Sequence, residues 1–181
     1  MVANHNSHAD GVTLMTSVPI DRLAITFPVA AEDYFGNSKL SAFLSWFLIN
    51  LLLIPRKREE KNPKRDPIFI MDSYLKNGKS LIFFPEGSRG KAGKIQDFKK
   101  GLGYLMKENM NIPIIPVYLE GIGRVLPKGN KIMLPGITKI YFGNPIFLEN
   151  ETVEEIVEKA ENAVHDLKNR CDNNNSSNLR E

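Results

Sequence analysis

Short apolar runs that read as β-strands alternate with amphipathic stretches that read as helices along most of this 181-residue chain. Ser80–Pro85 follows the turn pair Asn77-Gly78 and is compact, apolar and aromatic, which predicts a buried strand. Ile112–Leu119 reads as a second strand, and Lys139–Phe142, stopped by Gly143, as a shorter third. Between them, Ile68, Met71 and Leu75 share one helical face within Asp66–Asn77. Near the end, Val153, Ile156, Val157, Ala160, Val164 and Leu167 form a single apolar stripe with acids and lysines opposite. Thr152 followed by Glu155 is a capping-box start signal for that helix. Such alternation predicts an α/β fold, a mostly parallel central sheet flanked by helices.

The length suits one domain, expected over residues 1–170. Cys171–Glu181 offers little to bury and reads as a disordered tail. With 42% hydrophobic and 25% charged residues, the chain is neither wholly disordered nor collagen-like. The single cysteine excludes an internal disulfide framework and a cysteine-rich zinc module. A net charge of +3 gives no argument for a nucleic-acid partner. In the window Leu40–Ile54, 12 of 15 residues are apolar. A membrane-spanning helix needs roughly 20, so this window is short, and Leu40–Asn50 has the length of a core helix. Pro55–Arg65 follows it with six basic residues and two acids, a net +4. An apolar stretch leading into positive charge suits an anionic bilayer surface, and equally a buried element running out into a solvated loop. The expectation is peripheral or monotopic attachment to a membrane on its cytoplasmic side.

Two polar clusters could carry chemistry. In Asn4-His5-Asn6-Ser7-His8-Ala9-Asp10, His5 and Asp10 are five positions apart. On a continuous helix they would diverge by about 140°. They meet only across a turn, which Asn, Ser and Asp readily build. Asp10 could then accept from one ring nitrogen of His5, leaving the other as a general base. The same residues would also serve as a polar loop with Asp10 as a helix cap. His5 and His8 lack the further ligands that a metal site needs.

The second cluster, Phe84-Pro85-Glu86-Gly87-Ser88-Arg89-Gly90, directly follows the Ser80–Phe84 run. Ligands in open parallel sheets bind beyond the carboxyl ends of strands. Gly87 and Gly90 permit close backbone approach, Ser88 offers a hydroxyl, and Arg89 presents a fork matched to phosphate or carboxylate. The alternative is a strand-to-helix turn held by a Glu86–Arg89 ion pair.

Taken together, the clusters resemble the conserved blocks of the glycerolipid acyltransferase family. Asn4 to Asp10 is similar to its first block. Phe84 to Arg89 looks like its third, with Ser88 in place of the usual Thr. Phe98-Lys99-x-Gly101 fits the segment that follows, and Ile112-Pro113-Ile114-Ile115-Pro116-Val117 looks like the fourth block. The resemblance covers roughly Val2 to Phe147. It implies transfer of a fatty acyl group from a thioester, acyl-CoA or acyl carrier protein, to the hydroxyl of a lysophospholipid. That acceptor would be 1-acylglycerol-3-phosphate, giving phosphatidate; other lipid or alcohol acceptors, or an inactive membrane-binding remnant, are the alternatives.

By this resemblance His5 is the base, supported by Asp10, and Arg89 holds the acceptor phosphate. Ser7, Glu86, Gly87 and Ser88 shape the substrate pocket, and no metal or other cofactor is implied. Arg56, in Leu53-Ile54-Pro55-Arg56, stands where the second block ends and is a candidate second phosphate ligand, although Pro55 replaces the acid expected there. Relative to the family, the chain lacks the helices and strand before the histidine block, so its start looks truncated.

Overall fold

The computed structural model describes residues 1–35, 50–56, 62–125 and 134–177. In chain order the elements are β1 (Val2–Ala3), α1 (Asp10–Met15), α2 (Ile20–Leu23), β2 (Thr26–Ala31), β3 (Leu52–Ile54), α3 (Pro67–Lys76) and β4 (Ser80–Ile82). They continue with α4 (Gly101–Lys107), β5 (Pro116–Glu120), α5 (Ile122–Val125), β6 (Lys139–Phe142) and α6 (Val153–Ser177). The chain packs as two compact units, Met1–Asp10 with Phe84–Glu181, and Gly11–Phe83. Each holds a three-stranded sheet, ordered β1-β5-β6 in the first and β3-β2-β4 in the second. Three of the four pairings are parallel and β5–β6 is antiparallel, so the mostly parallel α/β class holds. The single central sheet expected from the sequence is divided between the units; among the described residues β1, with only two residues, ladders with β5 alone.

In the first unit, β1 and β5 are apolar and buried; Ala3 and Val117 are fully covered. The long helix α6 packs on α4 and on β5. Its stripe is the one read from the sequence, with Ile156, Ala160 and Val164 fully buried. Ile156 and Val164 each contribute about 1.5–3 kcal/mol by this burial. The stripe continues from Leu167 to Cys171, which is also fully buried. Helical order therefore runs on to Ser177, past the Cys171 boundary expected for a disordered tail. The small thiol fills the next position of the same face, which a composition count does not register. Close approach of α4 to α6 needs Gly103, where a Cβ would lie 2.3 Å from the carbonyl oxygen of Val153.

The capping box at the start of α6 forms as expected. Thr152 donates its backbone N–H to Glu155 Oε2 at 2.7 Å, and the Glu155 N–H points back to Thr152 Oγ1 at 3.3 Å. Thr152→Ala is expected to lower the unfolding free energy by about 1 kcal/mol, read from urea midpoints at constant slope. No loss would mean that packing alone holds the first turn of α6.

The second unit is built around β2, which pairs with β4 through Thr26–Pro28 and with β3 through Val29–Ala31. Pro28 sits where the pairing passes from one neighbour to the other. The helix α3 begins with Pro67 at its first position, and Asp66 accepts the Ile68 N–H at 2.9 Å. Met71 and Leu75 are buried as the spacing predicted, and Ile68 is half-buried. Asn50, at φ 50, donates to the Leu23 carbonyl at 2.8 Å. The strand expected over Ile112–Leu119 starts only at Pro116. Before it, Ile114 bridges antiparallel to Ile146, and the two prolines lack the N–H that a longer ladder would use. Most of the Leu40–Ile54 window lies outside the described residues.

Candidate active site

The chain leaves β1 at Asn4, and this side chain continues the ladder that the backbone abandons. Asn4 Oδ1 accepts the Leu119 N–H at 2.7 Å, and Nδ2 donates to the Leu119 carbonyl at 3.1 Å. Nδ2 also donates to Asn6 Oδ1 at 3.0 Å. Asn6 in turn donates to the carbonyls of Lys91 and Lys94, at 2.8 and 2.9 Å. Both asparagines are buried. Neither carries chemistry in a local reading, yet together they fasten the His5 turn to β5 and to the loop after Arg89. Their signal in the sequence is two amides, two residues apart, directly after the apolar Val2-Ala3, with partners too far along the chain to infer.

His5 and Asp10 meet across the turn, with Nδ1 and Oδ2 2.8 Å apart. A carboxylate only accepts, so the neutral ring carries its proton on Nδ1 and its lone pair on Nε2. Asp10 is fully buried at the first position of α1. Its Oδ2 also takes the N–H groups of Asn6 and Ser7, at 2.7 and 2.8 Å. Three donors on one oxygen hold the carboxylate in place, while Oδ1 has no hydrogen-bond partner among the described residues. The imidazole stacks on Phe84, with centroids 4.4 Å apart and planes at 20°. Its side chain is 22% exposed, so the ring is positioned from two sides and still accessible.

The second cluster comes to the same place. Glu86, 2% exposed, accepts the backbone N–H of His5 on Oε1 at 2.8 Å and Gln96 Nε2 on Oε2 at 2.9 Å. Gly90 donates its N–H to the His5 carbonyl at 2.8 Å. Both ends of the Glu86–Gly90 turn are thus bonded to the backbone of His5. The turn is tight: Gly87, at φ +67, donates to the Phe84 carbonyl at 3.0 Å. Arg89 donates to His8 Nε2. Burial, then Arg89 and His5, hold the His8 imidazole below its ordinary value, with Asp10 opposing, which agrees with a neutral acceptor at Nε2.

The Glu86–Arg89 ion pair considered from the sequence does not form, because both Glu86 oxygens serve His5 and Gln96. Ser7, read as substrate-binding, is fully buried and its hydroxyl accepts the Ala9 N–H at 3.2 Å. This buried hydroxyl is engaged within the turn itself. Arg56 belongs to the second unit, where its Nε and Nη2 pair with the two oxygens of Asp33 at 2.8 and 3.2 Å on an exposed surface. Arg65 is likewise paired, with Glu32. Lys57, Arg58 and Lys61 lie outside the described residues.

Burial raises the Glu86 carboxyl above its ordinary range, against the hydrogen bonds from His5 and Gln96, which lower it. The folded protein therefore holds this proton more tightly than the unfolded chain does. The resulting stabilisation is complete below the ordinary value of 4.5 and is lost as pH rises through the folded value. Glu86→Gln cannot titrate. The stability difference between wild type and this variant should shift against wild type across that window, measured by urea unfolding at several pH values. A flat difference would mean that Glu86 titrates alike in both states. Gln at 86 keeps an acceptor for His5 but turns an amide toward Gln96, which adds a pH-independent loss.

The chain that carries this histidine–carboxylate pair and glycine turn on an α/β scaffold belongs to the acyltransferase family, whose family model matches residues 1–120. Among its relatives is a chloroplastic 1-acyl-sn-glycerol-3-phosphate acyltransferase of Brassica napus, 28% identical over 81% of this chain and 40% of that protein. The 1-acyl-sn-glycerol-3-phosphate acyltransferase alpha of Mus musculus is 26% identical over 92% of this chain and 56% of its own length. The chain thus spans about half the length of such relatives. The crystal structure of the 1-acyl-sn-glycerophosphate acyltransferase PlsC from Thermotoga maritima superposes with a TM-score of 0.65 at 25% identity, covering 93% of this chain and 64% of that one.

Proposed function

We propose that this chain transfers a fatty acyl group from an acyl thioester, acyl-CoA or acyl carrier protein, to the hydroxyl of 1-acylglycerol-3-phosphate, giving phosphatidate. The observation that carries this reading is the His5–Asp10 pair, which leaves Nε2 as a base. Nε2 takes the proton of the acceptor hydroxyl as its oxygen attacks the thioester carbonyl. The tetrahedral intermediate collapses, the C–S bond breaks, and the departing thiolate recovers the proton from the imidazolium, leaving an ester and a thiol. Asp10 stabilises the imidazolium and holds the ring's orientation. Arg89 binds the acceptor phosphate and so converts an encounter into a positioned attack. The relatives' names and the family membership support the acceptor class; Glu86, Gly87 and Ser88 form the frame of the pocket.

The test is a purified-protein assay with a panel of lysophospholipids and both thioester types. Preferential acylation of 1-acylglycerol-3-phosphate is expected. Transfer to acceptors without a phosphate at an equal rate would overturn the acceptor assignment.

The acceptor resides in a bilayer, and we read the chain as attaching peripherally on the cytoplasmic side. Among the described residues no helix is long and apolar enough to cross a membrane. Basic residues near an anionic surface contribute roughly 1 kcal/mol each, screened by salt. Liposome flotation should rise with anionic lipid and weaken in high salt, and indifference to both would discard the attachment through charge.

A further inference from the structure

Lys99 lies against the Glu86–Gly90 turn, and the chemistry above gives it no task. Its backbone N–H is anchored on the Pro85 carbonyl at 2.9 Å. Its side chain lies along the open face of Gly87: a Cβ there would stand 2.8 Å from Lys99 Nζ and 3.2 Å from its Cδ. The left-handed backbone of Gly87 and its missing side chain thus make the seat that this lysine fills. The nearest acid in the turn is Glu86, whose two oxygens are occupied by the His5 N–H and Gln96. Among the described residues no carboxylate pairs with Lys99. Its neighbour Lys100 points elsewhere and pairs with Glu154 at 2.7 Å.

A positioned, exposed ammonium without a counter-ion, on a turn whose two ends bond to the backbone of the base, is a site for an anion. We propose that Lys99 is a second cation of the phosphate-monoester subsite, acting with Arg89 across Gly87 and Ser88 and selecting acceptors that carry a phosphate. This rests on the acyl-transfer reading only for the identity of the ligand. The subsite takes a phosphate, which either the acceptor headgroup or a phosphate of the thioester donor could supply, and the proposal commits to the acceptor.

Two measurements on the full 181-residue chain test it. In calorimetric titration with glycerol 3-phosphate, Lys99→Met should weaken binding about three- to tenfold, Lys99→Arg should restore most of it, and Lys100→Met should match wild type. In steady-state kinetics, Lys99→Met should raise the acceptor KM by a similar factor and leave the donor KM unmoved. Unchanged binding and KM in Lys99→Met, an effect equal to that of Lys100→Met, or a rise confined to the donor KM would each overturn the assignment. So would a wild-type chain that does not bind glycerol 3-phosphate. A chain that binds it through Lys99 but transfers no acyl group would overturn the acyl-transfer reading and leave the subsite standing.

Discussion

His5→Ala is expected to lower kcat by about 10²–10⁴-fold with 1-acylglycerol-3-phosphate and an acyl thioester, or about 3–5 kcal/mol of barrier. The side chain is partly exposed and its fold-holding bonds run through its backbone, to Glu86 and Gly90, so the variant should stay folded. Circular dichroism and the urea midpoint check that. Asp10→Asn separates charge from geometry. The Asn oxygen can take the three donors that Oδ2 now holds, from His5, Asn6 and Ser7, while its amide occupies the place of Oδ1, which has no partner. The turn survives at the cost of one buried, unbonded amide, about 1–3 kcal/mol of stability. The developing imidazolium, however, loses its counter-charge, so kcat should fall while the acceptor KM changes little. Full activity in His5→Ala would remove the mechanism. His8→Ala should be much milder and should act on the acceptor KM, because His8 contacts Arg89. Equal losses of kcat in both histidine variants would make His5 the wrong base.

Arg89→Ala is expected to raise the acceptor KM about 10- to 100-fold, the worth of hydrogen bonds to a charged group, with a smaller change in the donor KM. Arg89→Lys keeps the charge but not the planar fork, so it should recover only part of the loss. Since Glu86 is committed to His5 and Gln96, Arg89 has no ion pair with it to lose. A matched rise in both Michaelis constants would therefore assign Arg89 to holding the turn through His8, and not to binding the acceptor.

Short-range signals are legible in this sequence. The capping box at Thr152, the face of Met71 and Leu75, and the strand at Lys139–Phe142 all depend on residues within a turn or two of one another. The strand β2 escaped notice because Thr26–Ala31 contains Pro28 and has no alternation to mark it. Its status comes from pairing on both sides. Composition marks Cys171–Glu181 as a tail, whereas the helix runs to Ser177, because Cys171 belongs to a face and composition counts residues without regard to face.

The same division holds in the site. Six residues of sequence suffice to bring His5 and Asp10 together, because a polar turn and a side chain of fixed reach leave little else for them to do. The polar character of the Phe84–Gly90 turn is equally local. That Glu86 grips the His5 backbone, that Asn6 reaches Lys91 and Lys94, and that Asn4 extends the ladder onto Leu119 had to await the tertiary structure. Those partners are brought together by the parallel pairing of β1 with β5 and by the return of the chain at Phe84. Parallel strands meet through crossover connections, and the choice of neighbour is made by sheet packing, which no local period or spacing records.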